Sequence, residues 1–210
     1  MKKHLFILSL FIGSFGIQSK AQESTAEISL EGFLEEVTDT SPILLPERMI
    51  PTQSILWGKR GIMRNFSYFE LTPEKRQREL ELRRKMLGLH QILGFATLGG
   101  MIAQGFVGAK LYTDPSIKGI HEGLGAGVNI AYFTTAGLSL FAPPKMIRDG
   151  KGYSSIKLHK VLGVIHLTSM IATNFLAGPA AENPIYKPYH RAAAFTAFGT
   201  FALSMIVIKF

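Results

Sequence analysis

The chain contains no cysteine. That absence excludes disulfides, thiolate-held iron–sulfur clusters, thiolate zinc sites and covalent c-type haem attachment. Charge is scarce over most of the length. Charged residues are 18% of 210 against 47% apolar ones, and 24 of the 38 Asp, Glu, Lys and Arg residues precede Met86. The last 125 residues hold only 14 charges, grouped between long uncharged stretches, which is the profile of a membrane protein. There is no Gly-rich phosphate loop, carboxylate pair or nucleophile constellation to suggest a soluble enzyme. Six histidines are the only strong soft-metal ligands, so any metal chemistry has to be built from histidine.

Met1-Lys2-Lys3, an apolar run from His4 to Ile17 and the small residues of Ser19-Lys20-Ala21 read as a cleaved signal peptide over residues 1–21. The apolar run is too short to span a bilayer comfortably. Its removal takes three lysines and His4 with it, leaving five histidines and a net charge of about +5 in place of +8. Residues 22–72 read as a short polar, partly ordered exported arm. Its start is acidic, and Pro42, Pro46 and Pro51 interrupt any long helix. Trp57, Phe66, Tyr68 and Phe69 among Lys59, Arg60 and Arg64 suit a membrane interface.

Thr72-Pro73-Glu74 is a helix start, with an N-cap threonine, proline at the first helical position and an acid at the positive end of the dipole. The charged stretch from Lys75 to Lys85 then enters the first uncharged segment without a breaker, so one helix is expected to begin in water and continue into lipid. Uncharged segments follow at Met86–Ala109, Gly123–Ala142, Val161–Ala181 and Ala192–Ile208, each near the roughly 20 residues a spanning helix needs. Asp114-Pro115, Pro143-Pro144 and Asn183-Pro184 mark the turns. The expected fold is an all-α membrane protein, in which residues 73–210 form a four-helix transmembrane bundle built from two repeated helix hairpins.

Histidines carry the repeat. His90 to His159 and His121 to His190 are both 69 residues apart, and a gapless shift by 69 matches 12 of the 33 positions from Leu89 to His121. Pro115/Pro184 and Lys118/Lys187 in the loops are among the matches. Each histidine is followed four residues later by Gly or Ala: Gly94, Gly125, Gly163 and Ala194. That is one turn along the same face, which leaves room beside each imidazole for a flat group or lets helices pack closely. Alternating helix direction puts His90 and His159 near one membrane face and His121 and His190 near the other. A pseudo-twofold axis along the membrane normal then sets each pair on facing helices, the arrangement of two axial ligands on one iron. About 1.5 Å per residue separates the two levels by roughly 20 to 25 Å. Lys160 and Arg191, directly after their histidines, are the cations placed to meet propionates.

Residues 86–208, with His90-Gln-Ile-Leu-Gly94, His121-Glu-Gly-Leu-Gly125 and His159-Lys-Val-Leu-Gly163, resemble the cytochrome b561 superfamily. The resemblance implies four membrane helices carrying two non-covalent b haems, with His90 and His159 the axial ligands of one iron and His121 and His190 those of the other. It implies electron transfer across a bacterial inner membrane between a donor on one face and an acceptor on the other. Quinone, ferric iron or a periplasmic redox protein fits either role, and an oxidoreductase of ferric- or quinone-reducing type is one form this would take. The basic motifs of ascorbate-using members are not recognisable, which leaves the donor open. Lipid is the expected surrounding, nucleic acid is not an expected partner, and a homodimer is compatible with the pattern. The competing reading is a haem-free membrane scaffold or assembly protein whose histidines serve packing.

His166 stands outside the repeat, because its counterpart at an offset of 69 is Thr97. An alternative ligand, a hydrogen-bond station or a polar contact to Thr97, Asn129 or Asn174 are its open roles. Orientation is contested within the sequence. The signal peptide exports the arm, yet that face holds Lys75, Arg76, Arg78, Arg83, Arg84, Lys85, Lys145, Arg148, Lys151 and Lys157 against Lys110, Lys118, Lys187 and Arg191 on the other. The positive-inside rule favours the opposite topology. The arm is assigned to the periplasm because export of so long a segment depends less on its charge.

Overall fold

A computed structural model of the chain describes residues 43–146 and 154–209. The expected signal peptide and the first part of the arm lie outside the described residues. All regular structure among the described residues is helical. A short helix α1 (Pro51–Trp57) and two 3₁₀ turns (Ile62–Asn65 and Ser67–Phe69) precede four long helices. These are α2 (Pro73–Leu111), α3 (Lys118–Leu140), α4 (Ser155–Glu182) and α5 (Lys187–Lys209).

Each boundary has a local cause. The Thr72 side chain accepts from the Lys75 amide and starts α2, which runs unbroken from the charged stretch into the uncharged one. Ser154 does the same for α4 through the Lys157 amide. The two hairpin turns are copies of one another. Asp114 and Asn183 each accept from the amide two residues on, and Pro115 and Pro184 each open a 3₁₀ turn that leads into the next helix.

Helices α2, α4 and α5 are long and apolar enough to cross a membrane. Helix α3 does not reach that level of apolarity, because five glycines together with Asn129, Thr134, Thr135 and Ser139 dilute its aliphatic residues. The outer surface is apolar all the same. Phe106 and Phe175, related by the repeat, are 75% and 79% exposed, and Ile92, Ile130 and Val164 also point outward. Water would penalise such a surface and lipid does not.

Packing follows the repeat. α2 packs on α3 and α4 on α5, and α2 also approaches α5. The buried cluster is Met101, Val128 and Tyr132 with Met170, Ala197 and Phe201, three pairs each separated by 69 positions. Leu98 and Leu167, another such pair, pack against it. The seam between α3 and α4 is bridged by side chains instead: the Asn129 and Asn174 amides exchange two hydrogen bonds of 2.8 and 2.9 Å, and Tyr132 meets His166.

Residues 43–72 form a fastened cap, a feature that composition alone does not reveal. The last carbonyls of a helix lack intrahelical donors, and the arm supplies them to α3. Thr52 Oγ1 donates to Leu140 O at 2.6 Å, Trp57 Nε1 to Phe141 O at 2.9 Å and Gln53 Nε2 to Ala142 O at 3.1 Å. Beneath the cap, Glu79 is fully buried and paired with both Arg64 and Arg76. Arg76 also donates to Leu44 O and Pro144 O, Arg83 to Pro143 O, and Arg64 to Gly58 O, Trp57 O and Phe69 O. Charges removed from water this completely persist only when every partner is in place, and deleting one strands the others at a cost of about 3–5 kcal/mol. Replacing Glu79 with Gln is therefore expected to release the cap at a lower temperature than in the unmodified protein. Fluorescence of Trp57, the one tryptophan, reads this during thermal unfolding in detergent, and an unchanged transition would show the network to be dispensable.

Candidate histidine sites

The first pair comes from helices that face one another across the interior. His90, on α2, and His159, on α4, have ring centroids 6.2 Å apart and planes at 86°. Each ring is held from behind by a neighbouring backbone. His90 Nδ1 lies 2.8 Å from Thr135 O on α3, and His159 Nδ1 lies 2.9 Å from Ser204 O on α5. A carbonyl only accepts, so Nδ1 carries the proton and Nε2 keeps its lone pair. Donation by the far nitrogen to a carbonyl is how metal-binding histidines are oriented. Thr135 and Ser204 are themselves 69 residues apart, so the hydrogen bond is repeated along with the ligand.

Two imidazoles flanking one metal need a metal–nitrogen bond of about 2.0–2.1 Å on each side. Adding the roughly 1.1 Å from a nitrogen to its ring centre puts the centroids roughly 6.3 Å apart. The observed 6.2 Å fits that requirement, and the donor set of two neutral imidazole nitrogens suits haem iron. Among the described residues no group of three or more His, Asp or Glu side chains gathers as a site for a bare metal ion, which leaves the histidines to act in pairs.

The second pair is half organised. His190 Nδ1 lies 2.9 Å from Thr173 O, the same anchoring as in the first pair. At the corresponding place for His121 stands Gln104, 69 residues before Thr173. Its amide nitrogen donates to His121 O at 2.9 Å and lies 3.2 Å from Nδ1 and 3.4 Å from Nε2, across the ring rather than in line with one lone pair. Gln104 Oε1 is buried without a hydrogen-bond partner, which costs on the order of 1–3 kcal/mol. His121 and His190 lie within electrostatic range of one another, but among the described residues their rings are not in contact. Gln104 and Thr173 are both 14 positions beyond the histidine of their own helix, so the two levels are about 21 Å apart at about 1.5 Å per residue.

The small residues after the histidines border polar groups. A side-chain carbon at Gly125 would fall 3.0 Å from Gln104 Nε2, so the room there is taken by that amide. At Gly163 it would stand 3.9 Å from His166 Nε2, and at Gly94 3.9 Å from the Thr135 methyl. Gly108, which sequence spacing did not single out, is required by His121, whose Cε1 would be 3.0 Å from any added carbon.

Arg191 turns outward at the end of α5. Its guanidinium lies over the rings of Tyr112 and Phe195, 5.5 Å from each centroid, in a groove of about 470 Å³ that Pro184, Lys187 and Pro188 help to line. Lys160 is exposed on α4. Comparison with protein-family models, with characterised proteins and with solved structures finds no match to this chain.

The anchoring carbonyls make a specific prediction. In detergent-purified protein before any cofactor is added, ¹⁵N spectra are expected to show His90, His159 and His190 as neutral Nδ1–H tautomers. Nε2–H signals for these three would mean that their lone pairs do not face the interior.

Proposed function

We propose that the chain is a transmembrane electron carrier of cytochrome b561 type, a four-helix membrane bundle with two non-covalent b haems. His90 and His159 would hold one and His121 and His190 the other. The observation that carries this reading is the repeated anchoring of the histidines. Three of four present a lone pair fixed by an Nδ1–carbonyl hydrogen bond, and the first pair has the ring separation that one shared metal needs. Packing alone would not require such matched tautomers. A haem with both axial positions occupied by histidine exchanges electrons and has no open position for oxygen.

The protein's own contribution is placement. Each hairpin offers one histidine at each level, and the levels lie near opposite faces, so an electron donor and acceptor need never meet. Lipid surrounds the outward-facing aliphatic and aromatic side chains. The cap closes the end nearer His90 and His159, whereas the Tyr112–Arg191 groove leaves the opposite end more open. With the arm in the periplasm of a bacterial inner membrane, the capped site faces outward and the groove faces the cytoplasm.

Single replacements test the pairing. His90→Ala and His159→Ala are expected to remove the same haem, and His121→Ala and His190→Ala the other, each leaving about half the haem per chain. Loss of different haems from the two members of a pair would overturn the assignment. A reporter fused after Phe210 checks orientation: activity of a periplasmic reporter is expected, and activity of a cytoplasmic one would reverse the topology.

A further inference from the structure

Two departures from the repeat meet in the middle of the protein. At positions 97 and 166 the hairpins carry Thr and His, and at 132 and 201 they carry Tyr and Phe. The polar member of each couple is joined to the other: Tyr132 Oη and His166 Nδ1 are 2.5 Å apart. Phe201 packs edge-on against both rings, with centroids 5.1 Å from His166 and 5.7 Å from Tyr132.

The direction of this bond follows from burial. Tyr132 is 1% exposed, so its phenolic proton needs an acceptor within the protein. Among the described residues that acceptor is His166 Nδ1. Tyrosine therefore donates, and the neutral imidazole carries its own proton on Nε2. This is the tautomer opposite to that of His90, His159 and His190. Nε2 is aimed at the space that Gly163 leaves open, 3.9 Å from where a side-chain carbon would stand. Gly163 is one turn beyond His159 on the same face of α4, so the donor borders the interior space beside that ring. Nothing at Thr97, on the other side of the repeat, reproduces it.

We infer that Tyr132 is a positioning residue that turns His166 into a hydrogen-bond donor toward the group held between His90 and His159, so that this site alone is poised for easier reduction. The inference rests on the two-haem reading. A donor's positive end favours the form of the bound group that has gained an electron, as any fixed dipole does in a medium of low dielectric. The second pair has no such donor, because the repeat places Thr97 where His166 would be. The asymmetry gives electron flow between the two levels a preferred direction in a scaffold that is otherwise close to symmetric.

Optical redox titration of the full-length, haem-loaded protein tests this. Tyr132→Phe preserves shape and removes the orienting hydroxyl, and His166→Leu removes the donor. Both are expected to disfavour reduction of the haem lost in His90→Ala, by up to about tenfold, or about 59 mV for a one-electron couple. His166→Gln, which keeps an N–H donor, should restore part of the difference, and the haem of His121 and His190 should not move. Unchanged potentials with both haems present, or a shift confined to the other haem, would overturn the proposal and leave the two-haem reading intact. A colourless, folded protein would overturn both. The tautomer is checked without haem: ¹⁵N shifts should report Nε2–H for His166 in the unmodified chain and a changed tautomer population in Tyr132→Phe, whereas an Nδ1–H signal in the unmodified chain would refute the inference directly.

Discussion

An imidazole that donates from Nδ1 to a backbone carbonyl of the next helix is the contact on which the rest of the arrangement turns. In water such a bond is worth little net, because solvent competes for both groups. In a lipid-embedded interior the competitor is absent, and a polar ring without a partner would be expensive. The bond therefore fixes how each hairpin closes, at what depth its ring lies and which nitrogen looks inward. Thr135 and Ser204 accept at one level and Thr173 at the other. Because these acceptors belong to the backbone, the geometry depends on helix register rather than on one additional side chain, and a 69-residue duplication carries it over intact.

Against this symmetric frame the departures are informative. Gln104 stands in place of Thr173, and its amide lies across His121 with an oxygen left unpartnered. His166 and Tyr132 stand in place of Thr97 and Phe201. Asn129 and Asn174, opposite Phe198 and Gly105 in the repeat, join the same α3–α4 seam. Helices α2 and α5 meet through close packing, while the seam related to them by the repeat is spanned by polar side chains. A duplicated hairpin has thus become two unlike halves mainly at positions that face the interior.

Much of this was legible in the sequence for physical reasons. The cap at Thr72, the paired turns at Pro115 and Pro184 and the uninterrupted passage of α2 from charged to apolar residues are local effects, written in a few neighbouring residues. The histidine spacing survives because a ligand position tolerates little drift along a helix. What sequence could not supply was anything that joins distant segments through unremarkable residues. Glu79 looks like one of several acids on a charged helix, yet it is the buried centre of the cap. Trp57 suits an interface, yet its indole nitrogen finishes the end of α3. Gln104 carries no motif, and only its register opposite Thr173 marks it. Helix α3 was expected to be as apolar as the others, but its glycines and hydroxyl residues serve close packing and hydrogen bonding, and its apolarity falls accordingly.

The account's central claim is that the four repeated histidines exist to hold two haems and not merely to join helices. Haem content and a reduced-minus-oxidised spectrum of the purified, full-length membrane protein test it most directly. The account predicts a red preparation with about two haems per chain and the sharp bands of low-spin b haem. A colourless protein that is stable and helical in detergent would contradict it, and would return the histidines to the role of packing contacts in a membrane scaffold.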